Sequence, residues 1–95
     1  MARQGRYELH IAWALQHLAL LSALGGDARR GAQLLGYVDE QYAALGYKRE
    51  PTEQWGYDKL MAALRETLSS DEIAHLAANG AAWSEDRAVE EAMKV

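Results

Sequence analysis

The chain has 95 residues, of which 49% are apolar and 25% charged, with a single proline. This balance excludes an intrinsically disordered chain and predicts one globular domain. The absence of cysteine excludes disulfide bonds, thiolate nucleophiles and zinc–thiolate sites, so packing alone must hold the fold together.

The net charge of −4 is divided unevenly along the sequence. Residues 1–49 carry six basic and four acidic side chains, whereas residues 50–95 carry four basic and ten acidic ones. Binding to nucleic-acid phosphates requires clustered lysine and arginine. We therefore expect no nucleic-acid partner and interpret the acidic half as a solvated surface.

The first predicted helix covers residues 6–24 and carries two apolar stripes, one more than a surface helix with a single buried face requires. The stripe expected to face the core comprises Tyr7, Ile11, Ala14, Leu15, Leu18 and Leu21. The second stripe comprises Trp13, Leu20 and Leu24, with His10 and His17 on the same line. Polar residues interrupt the apolar stretch from Leu9 to Leu24 at helical intervals, which excludes a secretory signal or a membrane span. We expect no membrane association and a cytoplasmic location.

A Gly25-Gly26-Asp27 turn separates this helix from the second, which covers residues 28–45 and ends at Gly46. So short a turn between two long helices predicts an antiparallel hairpin. Gly31 and Gly36 lie inside the second helix, where each costs about 1 kcal/mol relative to alanine. They predict a close approach to the first helix, because only a missing Cβ lets two helix backbones come near.

Three further helices are predicted at residues 52–68, 70–79 and 85–94. Pro51 is placed as a first-turn residue of the third helix, with Glu50 or Thr52 as its cap. Ser69 starts a capping box ahead of the fourth helix, which Gly80 is expected to end. The order predicts an all-α fold of about five helices, stacked as antiparallel hairpins in which neighbours in sequence are neighbours in space.

No arrangement of residues is typical of a catalytic or metal site. His10 and His17 are two helical turns apart, about 10 Å by helix rise, whereas a shared metal requires a spacing of three or four residues. Ser69 and Ser84 serve as helix caps, and no histidine lies in the sequence context of a catalytic base. We expect no enzymatic activity, no metal and no cofactor.

Tryptophan and tyrosine are the remaining candidates for recognition, since both residue types dominate binding hot spots. Tyr42 belongs to the inner stripe of the second helix, and Trp83 is placed to pack back on the helix that follows it. Tyr37, Tyr47 and Trp55 lie off the main stripes or in the loop. They are the predicted partner-binding residues.

From Gly31 the sequence Gly-Ala-Gln-Leu-Leu-Gly begins a pattern that continues with Leu45-Gly46, Glu50-Pro51 and an ending at residues 80–92. This order and spacing resemble the tetratricopeptide-like C-terminal helical region of LuxR-type transcriptional regulators and of adenylate-cyclase-like signalling proteins with an AAA-type ATPase. The resemblance covers about residues 12–93. It implies stacked helix pairs that contact proteins and transmit conformational signals. The ATPase and DNA-binding domains of those regulators have no counterpart here, so their activities are not implied.

Two functions remain open. The first is a protein–protein interaction module, free-standing or part of a larger signalling regulator, that binds a protein, a peptide or a second copy of itself. The second is a small-molecule sensor with a pocket between the first two hairpins, lined by Trp13, His17, Tyr37 and Tyr42. A pocket wider than packing requires would favour the sensor, whereas a filled core would favour the interaction module. A DNA-binding helix-turn-helix is disfavoured by the acidic second half.

The second stripe of the first helix also predicts self-association as a twofold homodimer. The second helix buries only one stripe, so Trp13, His17, Leu20 and Leu24 are the predicted interface. Large apolar side chains left in water forgo roughly 1.5–3 kcal/mol each. The alternative is a monomer in which the third helix or the C-terminal helices cover this stripe.

Overall fold

The structure, a computed structural model, describes the backbone of residues 2–94 and the side chains of residues 9–94. Its five α-helices are α1 (Ala2–Leu24), α2 (Ala28–Leu45), α3 (Pro51–Arg65), α4 (Ser70–Ala81) and α5 (Glu85–Ala92). The described part of the chain contains no β-strand, so the prediction of an all-α fold with about five helices is confirmed. None of these helices combines the length and the apolar composition that crossing a membrane requires.

Local signals in the sequence set the helix starts. The Asp27 carboxylate accepts a hydrogen bond from the Arg30 amide at 3.1 Å and so caps α2. Glu50 is the N-cap residue of α3. In the predicted capping box of α4, the Ser69 hydroxyl accepts from the Glu72 amide at 3.1 Å, and the Glu72 carboxylate accepts from the Ser69 amide at 3.0 Å. These contacts satisfy amide groups that a helix start otherwise leaves unpaired.

α1 starts at Ala2 rather than at residue 6, and three helix ends also differ from the predicted ones. Gly46 ends α2 as predicted, in the left-handed conformation with a φ of 68°. α4 instead continues through Gly80 to Ala81, since this glycine has a packing role. α3 ends at Arg65 rather than at residue 68, and α5 ends at Ala92 rather than at residue 94.

The helices do not pack strictly in chain order. α1 and α2 form the predicted hairpin, α3 lies mainly against α1, α4 lies mainly against α2, and α5 touches both α1 and α2. α3 and α4 make few contacts with each other, so the expected adjacency of sequence neighbours does not hold for this pair. A core cluster runs through the bundle, and its buried members are Ala12, Leu15, Ala19, Ala32, Leu34, Leu35, Tyr37, Val38, Tyr42, Leu60, Leu64, Ile73, Leu76, Ala88 and Ala92.

Two glycines create the contact between α2 and α4. A Cβ on Gly36 would lie 1.9 Å from the carbonyl oxygen of Ala77, and a Cβ on Gly80 would lie 1.7 Å from that of Gln33. Each helix therefore contributes a glycine that meets the backbone of the other. Gly31 faces α1 as predicted, since its Cβ would lie 3.0 Å from an α1 carbonyl oxygen. Gly36 was expected to face α1 as well, and the structure places it against α4.

α1 buries the predicted inner stripe only in part: Leu15 is buried, and Ile11 and Leu18 are partly buried against the core. Its buried side chains are mostly small or polar: Ala12, Leu15, Gln16, Ala19 and Ser22. Leu21, assigned to the inner stripe, is 55% exposed, and Ala14 is exposed as well. The reason is the close approach of α2 at Gly31, which small α1 residues permit and large ones would prevent. Tyr7 of the same stripe lies outside the described side chains.

Candidate interaction surface

A groove runs along the side of α1 where α3 and the α2–α3 loop lie against it. It consists of two adjoining depressions with volumes of about 470 and 70 Å³, and Thr52 lines both. We call this surface the α1/α3 groove. Its lining residues are Leu9, His10, Trp13, Gln16, His17 and Leu20 of α1, Tyr47 and Glu50 of the loop, and Thr52, Glu53, Trp55 and Gly56 of α3.

An exposed tryptophan stands on each wall of the groove. Trp13 on α1 is 49% exposed and Trp55 on α3 is 63% exposed. His17 packs on Trp13 with ring centroids 4.3 Å apart, and its Nδ1 lies 3.0 Å from the Trp13 carbonyl oxygen. Because a carbonyl only accepts hydrogen bonds, Nδ1 carries the proton. Lys59 Nζ lies 5.2 Å from the centre of the Trp55 ring, a cation–π contact that favours one orientation of that ring.

Glu53, in the first turn of α3, is a buried carboxylate of the larger depression and is only 7% exposed. It accepts hydrogen bonds from the Tyr42 hydroxyl at 3.0 Å, from the Tyr47 hydroxyl, and from the Glu50 amide at 3.1 Å. Burial alone would raise the pKa of this carboxyl group. The three hydrogen bonds and the Arg49 guanidinium outweigh burial and hold the pKa of Glu53 below its usual value. Glu53 is therefore ionised at neutral pH.

The pKa values of the two tyrosines that donate to Glu53 are shifted in the opposite direction, upward. Burial and the Glu53 carboxylate raise the pKa of Tyr42 above its usual value. The hydrogen bond to Glu53, together with some burial, raises the pKa of Tyr47 to about 12. Both hydroxyls stay protonated at neutral pH, whereas a tyrosine that acts as a base or nucleophile requires a lowered pKa.

Arg49, in the loop between α2 and α3, connects three helices at once. Its Nε donates to Gln16 Oε1 at 2.7 Å, and its Nη2 donates to Asp39 Oδ1 at 2.7 Å. The guanidinium also lies over the rings of Tyr42 and Tyr57, at 4.9 and 4.4 Å from their centroids. The loop is thereby tied to α1, α2 and α3.

Gln16 completes the link between α1 and α3. Its Nε2 donates to the main-chain oxygen of Glu53 at 3.1 Å while its Oε1 accepts from Arg49, so both ends of this buried amide are paired. A Cβ on Gly56 would lie 3.4 Å from Gln16 Nε2, which is an ordinary contact distance. These paired polar groups fix the position of α3 against α1 and so shape the groove.

The exposed side of α1 continues past the groove without any charged residue. Leu24, at its end, is 67% exposed. No aspartate, glutamate, lysine or arginine occurs between Leu9 and Gly26, in a chain in which such residues make up 25%. We call this surface the α1 face, and its members are His10, Trp13, Ala14, His17, Leu20, Leu21 and Leu24.

The structure places the predicted interface residues on one side of α1. Trp13, His17 and Leu24 are exposed, whereas Leu20 is half-buried beside α3. α3 therefore covers part of the second stripe, at Leu20, and leaves the other three open. Leu21 joins them, although the sequence assigned it to the opposite stripe.

Of the predicted partner-binding residues, Tyr47 and Trp55 line the α1/α3 groove, but Tyr37 does not. Tyr37 is 2% exposed and lies in the core, because α2 packs between α1 and α4 and buries two of its faces. The four residues predicted to line a sensor pocket lie in two different environments. Tyr37 and Tyr42 fill the core, whereas Trp13 and His17 are exposed on α1.

Sequence reasoning missed the polar groups beneath the groove, Gln16, Arg49 and Glu53. They come from three separate segments that share no periodic pattern. One local signal was present, since Glu53 follows the N-cap residue Glu50 at the spacing of a capping box. That signal predicts the contact with the Glu50 amide but neither of the tyrosine contacts.

The described residues include no group of three or more histidine, aspartate or glutamate side chains that could hold a metal ion. No protein-family model, no curated protein and no solved structure matches this chain. The resemblance to the helical region of LuxR-type regulators therefore rests on the sequence pattern alone. The functional argument rests on the groove and the α1 face.

Proposed function

We propose that this chain is a non-enzymatic helical module that binds a protein or peptide through the α1/α3 groove and the adjoining α1 face. The observation that carries the proposal is the pair of tryptophans, Trp13 and Trp55, which are 49% and 63% exposed along one groove. Tryptophan is the residue type most enriched in binding hot spots, and contiguous exposed apolar surface marks interaction sites on soluble proteins.

The absence of charge on the α1 face supports the same proposal. A helix side that stays in water normally carries charged residues, and this one has none from Leu9 to Leu24. Charged residues are depleted at the centre of protein interfaces, where they would lose their hydration. The α1 face therefore has the composition of an interface centre, with Trp13, Leu21 and Leu24 as its large exposed apolar side chains.

The polar groups of the groove favour binding over catalysis. Glu53 is paired with Tyr42 and Tyr47, and the pKa shifts keep the carboxylate ionised and both hydroxyls neutral. These three side chains therefore offer a substrate no free base, acid or nucleophile.

The proposal includes the setting that the sequence resemblance implies: a cytoplasmic module, free-standing or part of a larger bacterial signalling regulator. Its support is the Leu-Leu-Gly, Leu-Gly and Glu-Pro pattern quoted above. The acidic second half, with four basic against ten acidic residues, disfavours a nucleic-acid partner.

Site-specific photo-crosslinking in cells of the native host tests this proposal. A benzophenone side chain at Trp55 should give defined adducts, because the residue borders the proposed contact surface. The same group at Ala74, which is exposed on α4, serves as the control. Identical adduct patterns at the two positions, or none at Trp55, would overturn the assignment of the groove as the binding surface.

A further inference from the structure

The larger depression of the α1/α3 groove combines an exposed aromatic ring with two carboxylates. Trp13 lines it from α1, Glu50 from the loop and Glu53 from α3. The described residues that line this depression include no lysine or arginine. A basic side chain is therefore the kind of group that the lining complements in charge.

The two carboxylates keep their negative charge without an ion pair. Neither Glu50 nor Glu53 lies within ion-pair distance of a basic side chain in the described part of the chain. Arg49 acts on Glu53 only at longer range, and its guanidinium is paired with Asp39 at 2.7 Å. Lys48, exposed in the same loop, pairs with neither carboxylate. The tyrosine hydroxyls that donate to Glu53 are neutral, so the depression remains negatively charged.

Trp13 also differs from the other two tryptophans in what lies over its ring. Lys59 Nζ lies 5.2 Å from the centre of the Trp55 ring. The Arg87 guanidinium carbon lies 5.0 Å from the centre of the Trp83 ring. No described lysine or arginine lies over the ring of Trp13, although that ring is 49% exposed. Tryptophan attracts cations through its face more strongly than any other side chain, so this ring is suited to a cation from outside the chain.

We infer that the larger depression binds the lysine or arginine side chain of a partner peptide, in contact with the Trp13 ring and beside the carboxylates of Glu50 and Glu53. This inference rests on the proposed function and names the chemistry of its partner. Glu50 is exposed and can pair with the cation directly. Glu53 is only 7% exposed and acts through its charge.

The smaller depression, which adjoins the larger one at Thr52, sets the neighbouring residue of the peptide. Its lining includes Leu20 and Trp55 and no charged side chain among the described residues. An apolar side chain fits such a lining, because a charged one would lose its hydration there. The occupant of the groove is therefore a segment in which a basic residue lies next to an apolar one.

NMR titration with matched peptides tests the preference for a cation. The probes are acetyl-Gly-Leu-Lys-Leu-Gly-amide and the same peptide with Nε-acetyl-lysine, which keeps the shape of the side chain but removes its charge. The lysine peptide should shift the Trp13 indole N–H signal and bind about fivefold more tightly, the scale of one cation–π contact. Equal affinity for the two peptides, or no shift at millimolar peptide, would overturn the inference.

Substitutions locate the binding within the groove. Glu50→Gln should weaken the lysine peptide about fivefold and leave the acetyl-lysine peptide unaffected, because it removes a charge and keeps the size of the side chain. Glu90→Gln, on the exposed side of α5, changes the net charge equally and is the matched control. Trp13→Leu should abolish the preference for lysine, followed at the Thr52 amide. Equal effects of the two glutamine substitutions would show unspecific charge attraction and overturn the site.

The chain's own N-terminal arginines are tested as competitors for the depression. Arg3 and Arg6 precede its α1 residues in sequence, and both lie outside the described side chains. In the double variant Arg3→Gln/Arg6→Gln, an unchanged affinity for the lysine peptide would support a cation from a partner. A peptide response that appears only in this variant would overturn the inference and assign the depression to these arginines.

The inference and the proposed function fail in different ways. Specific adducts at Trp55 without any preference for the lysine peptide would overturn the cation site and leave the binding surface standing. No peptide response together with no specific adduct at Trp55 would overturn both.

Discussion

The Tyr42 hydroxyl and the Glu53 carboxylate, 3.0 Å apart, join the end of α2 to the first turn of α3. The Tyr47 hydroxyl donates to the same carboxylate, so two neutral donors and one anion share the site. This combination is lost in two ways, by protonating the carboxylate in acid or by ionising the tyrosines in alkali. Folding stability should therefore depend on pH at both ends of the scale.

In acid, the free energy of unfolding should fall as Glu53 is protonated. Its pKa is lower in the folded chain than its usual 4.5, so the stabilisation is fully present above that value and is lost as the pH decreases through the folded-state pKa. Urea unfolding between pH 7 and pH 3 measures this dependence. Glu72 and Glu91 also have lowered pKa values, so the slope should be compared with that of Glu53→Gln. Equal slopes would show that Glu53 does not contribute.

In alkali, the free energy of unfolding should fall between pH 10 and about pH 12. The pKa of Tyr47 is raised from 10.0 to about 12, so its contribution is constant below pH 10 and is lost as the pH increases to the folded-state value. Urea unfolding across this window, followed by circular dichroism, is the measurement. Tyr42→Phe/Tyr47→Phe should flatten the dependence, and an unchanged alkaline slope in that variant would contradict the prediction.

Alanine at Gly36 or Gly80 should destabilise the fold by about 3 kcal/mol or more. Each new Cβ would lie within 2 Å of a carbonyl oxygen on the facing helix (1.9 and 1.7 Å), and backbone atoms cannot move aside without separating α2 from α4. Gly56→Ala is the matched control, because its Cβ would meet only the Gln16 side chain at 3.4 Å. That variant should be neutral or slightly stabilising, since alanine favours helix. Similar denaturation midpoints for all three would refute the close crossing.

Ser69→Ala should lower stability by about 1 kcal/mol, because the Glu72 amide loses the hydroxyl that accepts its hydrogen bond. Ser70→Ala, at the next position, removes a hydroxyl that does not cap α4 and serves as the control. Thermal and urea denaturation of both variants would measure the difference. No difference between them would mean that the cap contributes nothing to folding.

Ser22→Ala should raise stability by about 1 kcal/mol. The Ser22 hydroxyl is buried in α1 and has no hydrogen-bond partner among the described residues, so removing it relieves a desolvation cost while improving helix propensity. Ser84→Ala removes the α5 cap, which accepts from the Arg87 amide at 3.1 Å, and should shift stability in the opposite sense. A lower denaturation midpoint for Ser22→Ala would indicate a water-mediated partner for that hydroxyl.

The helices were predictable because their starts depend on neighbours in sequence. The capping residues Asp27 and Ser69 and the left-handed Gly46 each act within a few residues, and the structure places each as expected. The packing of α3 and α4 was not predictable in this way. It depends on Gly36 and Gly80, which are far apart in sequence and meet only after the chain folds.

The α1 face and the α1/α3 groove were predictable in part, again from the spacing of residues that are close in sequence. Helical spacing put Trp13, His17 and Leu24 on one side of α1, and a position outside the stripes marked Trp55. Leu21 was assigned to the wrong side because hydrophobicity alone cannot tell which apolar stripe a helix buries. In this chain α1 buries the side that carries small residues, because α2 approaches it closely there.

The crossing of α2 and α4 also constrains how this sequence can change over time. Neither Gly36 nor Gly80 accepts even a methyl group without moving the opposite backbone, and a compensating change at one does not make room at the other. In descendants that keep this fold, both positions should stay glycine while surrounding surface residues diverge. Two invariant glycines, one in α2 and one in α4, would then identify related sequences even where the surface residues no longer match.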